Sequence, residues 1–259
     1  MINKIVHFSD LHIRLFKDHD LYKSILIDAL NQWKNIAPDR IVFTGDLVHS
    51  KNQMTPELIE FVAWVLTECS KISKTIVIIG NHDFLENNMS RLDALTPIIE
   101  SLQNENVVYL KNRGVYKDQN INWCVYSLMD HNIPPDIEKN GKVNIGLFHG
   151  PVQGLTTDIG YKFDEGFDIN KFAGCDLVLC GDIHKRQTFT IPGNKKAYMI
   201  GSTVQQNFGE TVRKHGYGIY TVDKDEYEYV DLINPKPFLS FKIESIDDLV
   251  DGKERLLNY

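Results

Sequence analysis

Five short apolar runs in this chain each stop at a small residue or glycine that adjoins a side chain able to ligate a metal ion. Ile5-Val6-His7-Phe8 leads into Ser9-Asp10-Leu11-His12, Arg40-Ile41-Val42-Phe43 into Gly45-Asp46, and Thr75 to Ile79 into Gly80-Asn81-His82-Asp83. Further on, Ile145 to Phe148 leads into His149-Gly150, and Leu177 to Cys180 into Gly181-Asp182-Ile183-His184. Runs of this kind read as strands buried on both faces. An open α/β sheet gathers its ligands at the carboxyl ends of its strands. Setting all five termini side by side assembles Asp, His and Asn side chains, the donor set of a two-metal hydrolase.

The spacing between these runs predicts what joins them. Asp18 to Asn35 carries Leu21, Ile25, Leu26, Ala29, Leu30 and Trp33 at helical intervals, with Asp18 or Asp20 as its cap. Thr55-Pro56-Glu57 is an N-cap, a proline at the first helical position and an acidic first turn, and Leu58 to Cys69 continues that helix. A third helix is expected over 91–102. Beyond residue 106 short strands alternate with turns, from Val107 to Leu232. The fold expected is α/β: two facing mixed sheets with helices outside, a four-layer α-β-β-α sandwich. One domain should occupy 1–234. After Asn234-Pro235-Lys236-Pro237, residues 235–259 offer one strand over 238–243 and one helix over 246–257. They are expected to be the start of a capping domain or a short docking tail.

With 259 residues, 42% of them hydrophobic, a large core is possible. The longest strongly apolar blocks fall far short of the roughly 18 residues that span a bilayer. No secretory signal is visible at the N-terminus, so a cytoplasmic protein is expected. Cys69, Cys124, Cys175 and Cys180 form no C-x-x-C pair, which suits a reducing compartment. The formal charge of −7 argues against a protein that coats nucleic acid, but not against a DNA enzyme, because two divalent ions would add four positive charges beside the phosphate. Arg14, Lys17, Lys185 and Arg186 lie near the expected site, or are solvated surface.

Taken singly, Asp10-Leu11-His12 and Gly45-Asp46 are ordinary turn sequences. Asp46 has two oxygens and so could touch two cations. Gly80-Asn81-His82-Asp83 is more particular. The Asn81 amide oxygen suits a hard cation, His82 could protonate a leaving oxygen, and Asp83 could orient His82. His7, His19, His49, His131 and His215 are assigned to structure or surface.

In this order the five motifs resemble the calcineurin-like metallophosphoesterase superfamily, over roughly residues 1 to 230. Within it the chain looks most like the SbcD/Mre-type DNA repair and recombination nucleases. Gly45 to Ser50, Gly181 to Gln187 and above all Gly201-Ser202-Thr203-Val204-Gln205-Gln206-Asn207-Phe208-Gly209-Glu210 carry that finer likeness. The resemblance implies one metal held by Asp10, His12, Asp46 and His184. It implies a second held by Asp46, Asn81, His149 and Asp182, with Asp46 bridging. Many relatives have His where this chain has Asp182; a harder ligand there tilts the site toward manganese or magnesium.

The same resemblance implies a DNA phosphodiesterase with two divalent ions, manganese first and magnesium second. It would have double-strand exonuclease and single-strand endonuclease activity, with His82 and Asp83 catalytic. Arg14, Lys185, Arg186, Ser202, Gln206 and Asn207 would face substrate. The implied partners are DNA, an SMC-like ABC ATPase and a second copy of the chain. The alternatives are a phosphoesterase acting on phosphoproteins, nucleotides or cyclic nucleotides, and a non-catalytic binding scaffold.

Overall fold

Alternate residues of a single strand serve two different cores, which is why the strands read as unbroken apolar runs. In the computed structural model, which describes residues 1–240, β1 (Lys4–Phe8) sends Ile5 into one buried cluster and Val6 and Phe8 into another. β2 (Arg40–Phe43) does the same with Val42 on one side and Ile41 and Phe43 on the other. This is the period of two of a pleated strand, used on both faces.

The first three apolar runs and the helices between them build consecutive βαβ units. β1 leads through α1 (His19–Ile36) to β2, then through α2 (Pro56–Ile72) to β3 (Lys74–Val77). α3 (Thr96–Leu102) connects onward to β4 (Val107–Tyr109). All four strands are parallel neighbours. Two returning strands, β11 (Gly216–Thr221) and β12 (Glu226–Asp231), add antiparallel at the β1 edge, giving the order β12-β11-β1-β2-β3-β4. The second sheet has the order β5-β6-β7-β8-β10-β9. Its strands are β5 (Gly114–Asp118), β6 (Ile121–Tyr126), β7 (Val143–His149), β8 (Leu177–Gly181), β9 (Gln187–Ile191) and β10 (Lys195–Met199). It too is mixed, parallel at its centre and antiparallel at both edges.

Between the sheets lie Ile5, Val42, Ile76, Trp123, Ile145, Leu147, Leu177 and Leu179. Outside the first sheet, the helices bury Tyr22, Ile25, Leu26, Ala29, Leu30 and Trp33 of α1 and Leu58, Phe61, Val62 and Val65 of α2. The expected two-sheet sandwich is therefore present, and its outer layers differ. The second sheet is covered by the irregular chain over 150–175, with Val152, Leu155 and Phe172 packed against Phe148, Val178 and Cys180.

Two local expectations need correction. The third helix begins at Thr96, not at 91. The Asp93 carboxylate accepts the N–H groups of Leu95 (3.0 Å) and Thr96 (2.8 Å), which fixes 93–96 as a turn, and Pro97 then opens the helix. Asp18 sits at the N-cap of α1 in a left-handed conformation, with no side-chain capping bond. Thr55, by contrast, caps α2 as expected, its hydroxyl accepting Leu58 N–H at 3.3 Å. Residues 241–243 of the predicted 238–243 strand and all of the 246–257 helix lie outside the described residues, and 238–240 are not in a strand. The four cysteines are free and buried.

Candidate metal centre

Asp10 follows β1, Asp46 follows β2, Asn81 and His82 follow β3, His149 ends β7 and Asp182 follows β8, so the two sheets bring all five motifs to one rim. Four of these residues occupy the left-handed region: Asp10 at φ 51°, His12 at 47°, Asp46 at 61° and Asp182 at 99°. Non-glycine residues held in such conformations cost on the order of 1–3 kcal/mol each and concentrate at functional sites. Glycine is demanded where the strand ends crowd. A side chain on Gly45 (φ 96°) would strike the His149 ring and the Gly80 backbone, and one on Gly80 would strike Asp46.

Asp46 lies between two groups of donors. Its Oδ2 is 3.5 Å from His12 Nε2, and its Oδ1 is 3.4 Å from His149 Nε2. On the first side, His12 Nε2 stands 2.9 Å from His184 Nε2, and Asp10 Oδ1 is 3.8 and 3.9 Å from those two nitrogens. On the second side, His149 Nε2 is 3.0 Å from Asn81 Oδ1 and 3.7 Å from Asp182 Oδ1. The seven residues expected as ligands therefore fall into two groups that share Asp46.

The hydrogen bonds behind the rings show that this donor set fits cations. His149 Nδ1 donates to Thr44 O at 2.7 Å, which leaves the lone pair of the neutral ring on Nε2. His184 Nδ1 donates to a Glu210 carboxylate oxygen at 2.7 Å, with the same consequence. When the His149 ring is neutral and the Asn81 amide oxygen faces inward, lone pairs of His149, Asp46 and Asn81 converge on one point. Turning the Asn81 amide over would make it donate to Asp46 and His149. The protein's own hydrogen bonds favour that turned-over amide; a cation held by these atoms would favour Oδ1 inward instead. His12 Nδ1 is buried without a partner, so the polar contacts of that ring rest on its Nε2 side.

The electrostatics agree. Burial pushes Asp10 up to about 6, against the pull of His149 and His184, and burial also raises Asp182. Burial opposes the Asp46 charge too, yet His149 and His12 hold its carboxyl well below the usual carboxylate range. Burial lowers His12. For His149, burial is outweighed by Asp46 and the pKa rises; for His184 it is outweighed by Glu210, and the pKa reaches about 9. Protons and metal ions compete for these lone pairs, and three buried carboxylates need one or the other.

His82 presents its Nε2 toward the same rim, because its Nδ1 donates to His49 O at 2.8 Å. Its ring meets His12 edge-on at a centroid separation of 4.7 Å. Asp83 does not orient His82. Its carboxylate instead accepts the N–H groups of Gly80, Asp46, Leu47 and Val48 at 2.9–3.1 Å, because the chain turns back under Asp46 at that point. Of the residues expected to face substrate, Arg14 points its guanidinium at His49 Nε2 and Gln206 O, both at 3.4 Å. Lys185 and Asn207 line a hollow of about 270 Å³ that also includes Asp182, His184, Ile159 and Phe163.

Arg186, Ser202 and Gln206 have other work. Arg186 pairs with Asp231 and Val230 O across β12. Ser202 is buried between Glu210 and His215, and the Gln206 amide donates to Leu11 O and Val204 O. All three brace the framework. Two residues escaped the sequence reading. His49 stacks on His82 at 5.5 Å and, with His12, forms a further group of converging nitrogens. Its place in Gly45-Asp46-Leu47-Val48-His49 was the available signal. Glu210 is the other; nothing local in its sequence marks a contact with His184.

The family model described as calcineurin-like phosphoesterase matches residues 3–186. An uncharacterized protein, R555, of Acanthamoeba polyphaga mimivirus is 33% identical over 273 residues, covering 98% of this chain. The chain spans about a fifth (20%) of that relative's length. Among solved structures, a dimetal phosphatase from Danio rerio aligns with a TM-score of 0.49 at 13% identity, over 85% of this chain and 92% of that one. Among the described residues no helix is long and apolar enough to cross a membrane.

Proposed function

The chain belongs to the calcineurin-like phosphoesterase family, and from that premise we propose that it is a two-metal nuclease hydrolysing the phosphodiester bonds of DNA. The observation that carries this reading is where the Gly201–Glu210 stretch lies. That stretch bears the likeness to the repair nucleases, and its last residue, Glu210, holds the His184 ring at 2.7 Å. The segment is thus part of the site's own wall.

Asp10, His12, Asp46 and His184 would hold one divalent ion, and Asp46, Asn81, His149 and Asp182 the other; manganese is the first candidate and magnesium the second. Bound there, two such ions supply a water acidic enough to attack phosphorus at neutral pH and neutralise charge on the phosphate oxygens. His82 Nε2, held toward the rim by the Nδ1 bond to His49 O, is the group that would give a proton to the departing sugar oxygen. Arg14 and Lys185 would add positive charge beside the rim, where a DNA backbone would run.

Residues 1–234 would form the nuclease domain and 235–259 lead into a capping or docking region. By the same reading the chain works in the cytoplasm, as a pair of copies with an SMC-like ABC ATPase.

The deciding assay offers linear duplex DNA, circular single-stranded DNA and bis-p-nitrophenyl phosphate, each with manganese, magnesium or chelator. Manganese-dependent degradation of DNA that His82→Ala abolishes is the expected result. Hydrolysis of the small diester with both DNAs intact would move the assignment to another phosphoester. Silence on all three, with no metal bound, would leave a scaffold.

A further inference from the structure

Glu210 lies outside the ligand set and touches it at one ring. Its Oε1 accepts from His184 Nδ1 at 2.7 Å and from Asn207 Nδ2 at 2.9 Å. Its Oε2 accepts from Ser202 Oγ at 3.1 Å and from the Gln206 backbone N–H at 2.9 Å. Four donors on two oxygens can be served only by an ionised carboxylate, since an amide would turn an N–H toward one of them. The carboxylate side chain is only 6% exposed. Ser202 is anchored in turn, its hydroxyl 2.9 Å from His215 Nδ1, while His215 Nε2 donates to Thr211 O at 2.6 Å.

We propose that Glu210 is the positioning residue of one half of the centre, fixing the His184 ring and its tautomer so that Nε2 faces the ion shared with Asp10, His12 and Asp46. The inference rests on the two-metal reading above. Its chemistry is that of a carboxylate behind a ligating imidazole, which orients the ring and makes its free nitrogen more basic. Among the described residues the other half has no such group. His149 is fixed by a backbone carbonyl, Thr44 O, which no side-chain substitution removes. The two ions should therefore respond differently to changes at residue 210.

The same stretch is clasped from the far side. Gln205 donates to Glu210 O and Phe238 O, both at 3.1 Å, and accepts Phe238 N–H at 2.8 Å. Phe208 meets Phe238 edge-on at 5.0 Å. Glu210 is thus supported by the chain that follows residue 234, which keeps its carboxylate at His184.

The test titrates Mn²⁺ into the metal-free protein by calorimetry, and Co²⁺ with visible absorption, for the wild type, Glu210→Ala and Glu210→Gln. Two ions are expected in the wild type. In Glu210→Ala one of the two should weaken by roughly 10–100-fold while the other keeps its affinity, and Glu210→Gln should fall between. Half of the cobalt spectrum should be lost and half retained. Two ions with unchanged affinities in both variants would overturn the role of Glu210 alone. Equal weakening of both ions would do the same, because it signals a general loosening. A wild type that binds no ion would sink the metal reading itself. If Glu210→Ala does not fold, the near-isosteric Glu210→Gln decides by the same split.

Discussion

The Asp83 carboxylate grips Asp46 by its backbone: Asp83 Oδ2 accepts Asp46 N–H at 3.0 Å. Asp83 Oδ1 takes Leu47 N–H and Val48 N–H at 3.0 and 3.1 Å, and Oδ2 also takes Gly80 N–H at 2.9 Å. Burial and the neighbouring Asp46 charge push Asp83 up to about 7, and the ring of N–H donors works against that rise. One buried side chain therefore ties the turn after β2 to the turn after β3 and sets the left-handed backbone of Asp46.

Asp83→Asn should consequently act first on stability. The amide would set an NH2 against backbone N–H groups and leave at least one unpaired, a loss of about 1–3 kcal/mol for a buried donor left without a partner. Urea unfolding of the metal-free protein measures it. A change smaller than about 0.5 kcal/mol, the range of inert surface substitutions, would mean that the N–H groups find other partners.

Much of this arrangement was legible in the sequence, for a definite reason. Strand ends are marked by period and by glycine, and in parallel strands those ends share a rim, so Asp10, Asp46, Asn81, His149 and Asp182 could be brought together from their positions alone. What a side chain does behind the rim depends on angles that no spacing encodes. Asp83 is next to His82 in sequence, yet its carboxylate points back under Asp46. Arg186 follows Lys185, yet it reaches β12. Glu210 meets His184 across 26 residues that include β9 and β10, from a loop after β10 that has no period. The 91–102 apolar spacing was helical in pattern, but the Asp93 side chain captured the backbone N–H groups of its first turn.

Asp46 is counted in both donor groups, with one oxygen toward each, so its loss should be felt in both. Asp46→Ala removes the oxygens that stand 3.5 Å from His12 Nε2 and 3.4 Å from His149 Nε2. It should lower bound manganese from two ions to one or none, and activity toward a small diester by at least about 10²-fold, the order seen when a preorganised charge is removed. Anomalous scattering at the manganese edge counts the ions. Two retained ions would refute the bridging role.

His82 makes a different prediction, because it is not in either donor group. His82→Ala should keep both ions and their affinities while turnover falls about 10²–10⁴-fold, the range for a general acid. His49 contributes through His82, by ring stacking at 5.5 Å and by the carbonyl that fixes the tautomer. His49→Ala keeps that carbonyl and loses the stack, so it should reduce turnover by less than His82→Ala. Single-turnover rates with metal content measured alongside separate the two. Full activity in His82→Ala would remove it from the mechanism.

His7 provides a pH dependence that is independent of the metal centre. It is buried in β1, with Nδ1 2.8 Å from Tyr227 Oη and Nε2 2.8 Å from Thr44 Oγ1, so the neutral ring is satisfied and a charged one has no carboxylate to meet. Burial lowers its pKa from 6.5 to about 3. The unfolded chain therefore binds a proton near pH 6.5 that the folded protein refuses until about pH 3. Stability contributed by neutral His7 is fully present above pH 6.5 and is lost progressively as the pH falls toward 3. Between pH 7 and pH 5 this single group should cost about 2 kcal/mol of unfolding free energy. His7→Gln keeps a donor and an acceptor but cannot titrate, so its stability should fall by that much less over the same interval. Urea unfolding of both metal-free proteins at the two pH values makes the comparison, and every other titrating group cancels in the difference. Parallel losses in the two proteins would show that His7 takes up its proton in the folded state as readily as in the unfolded one.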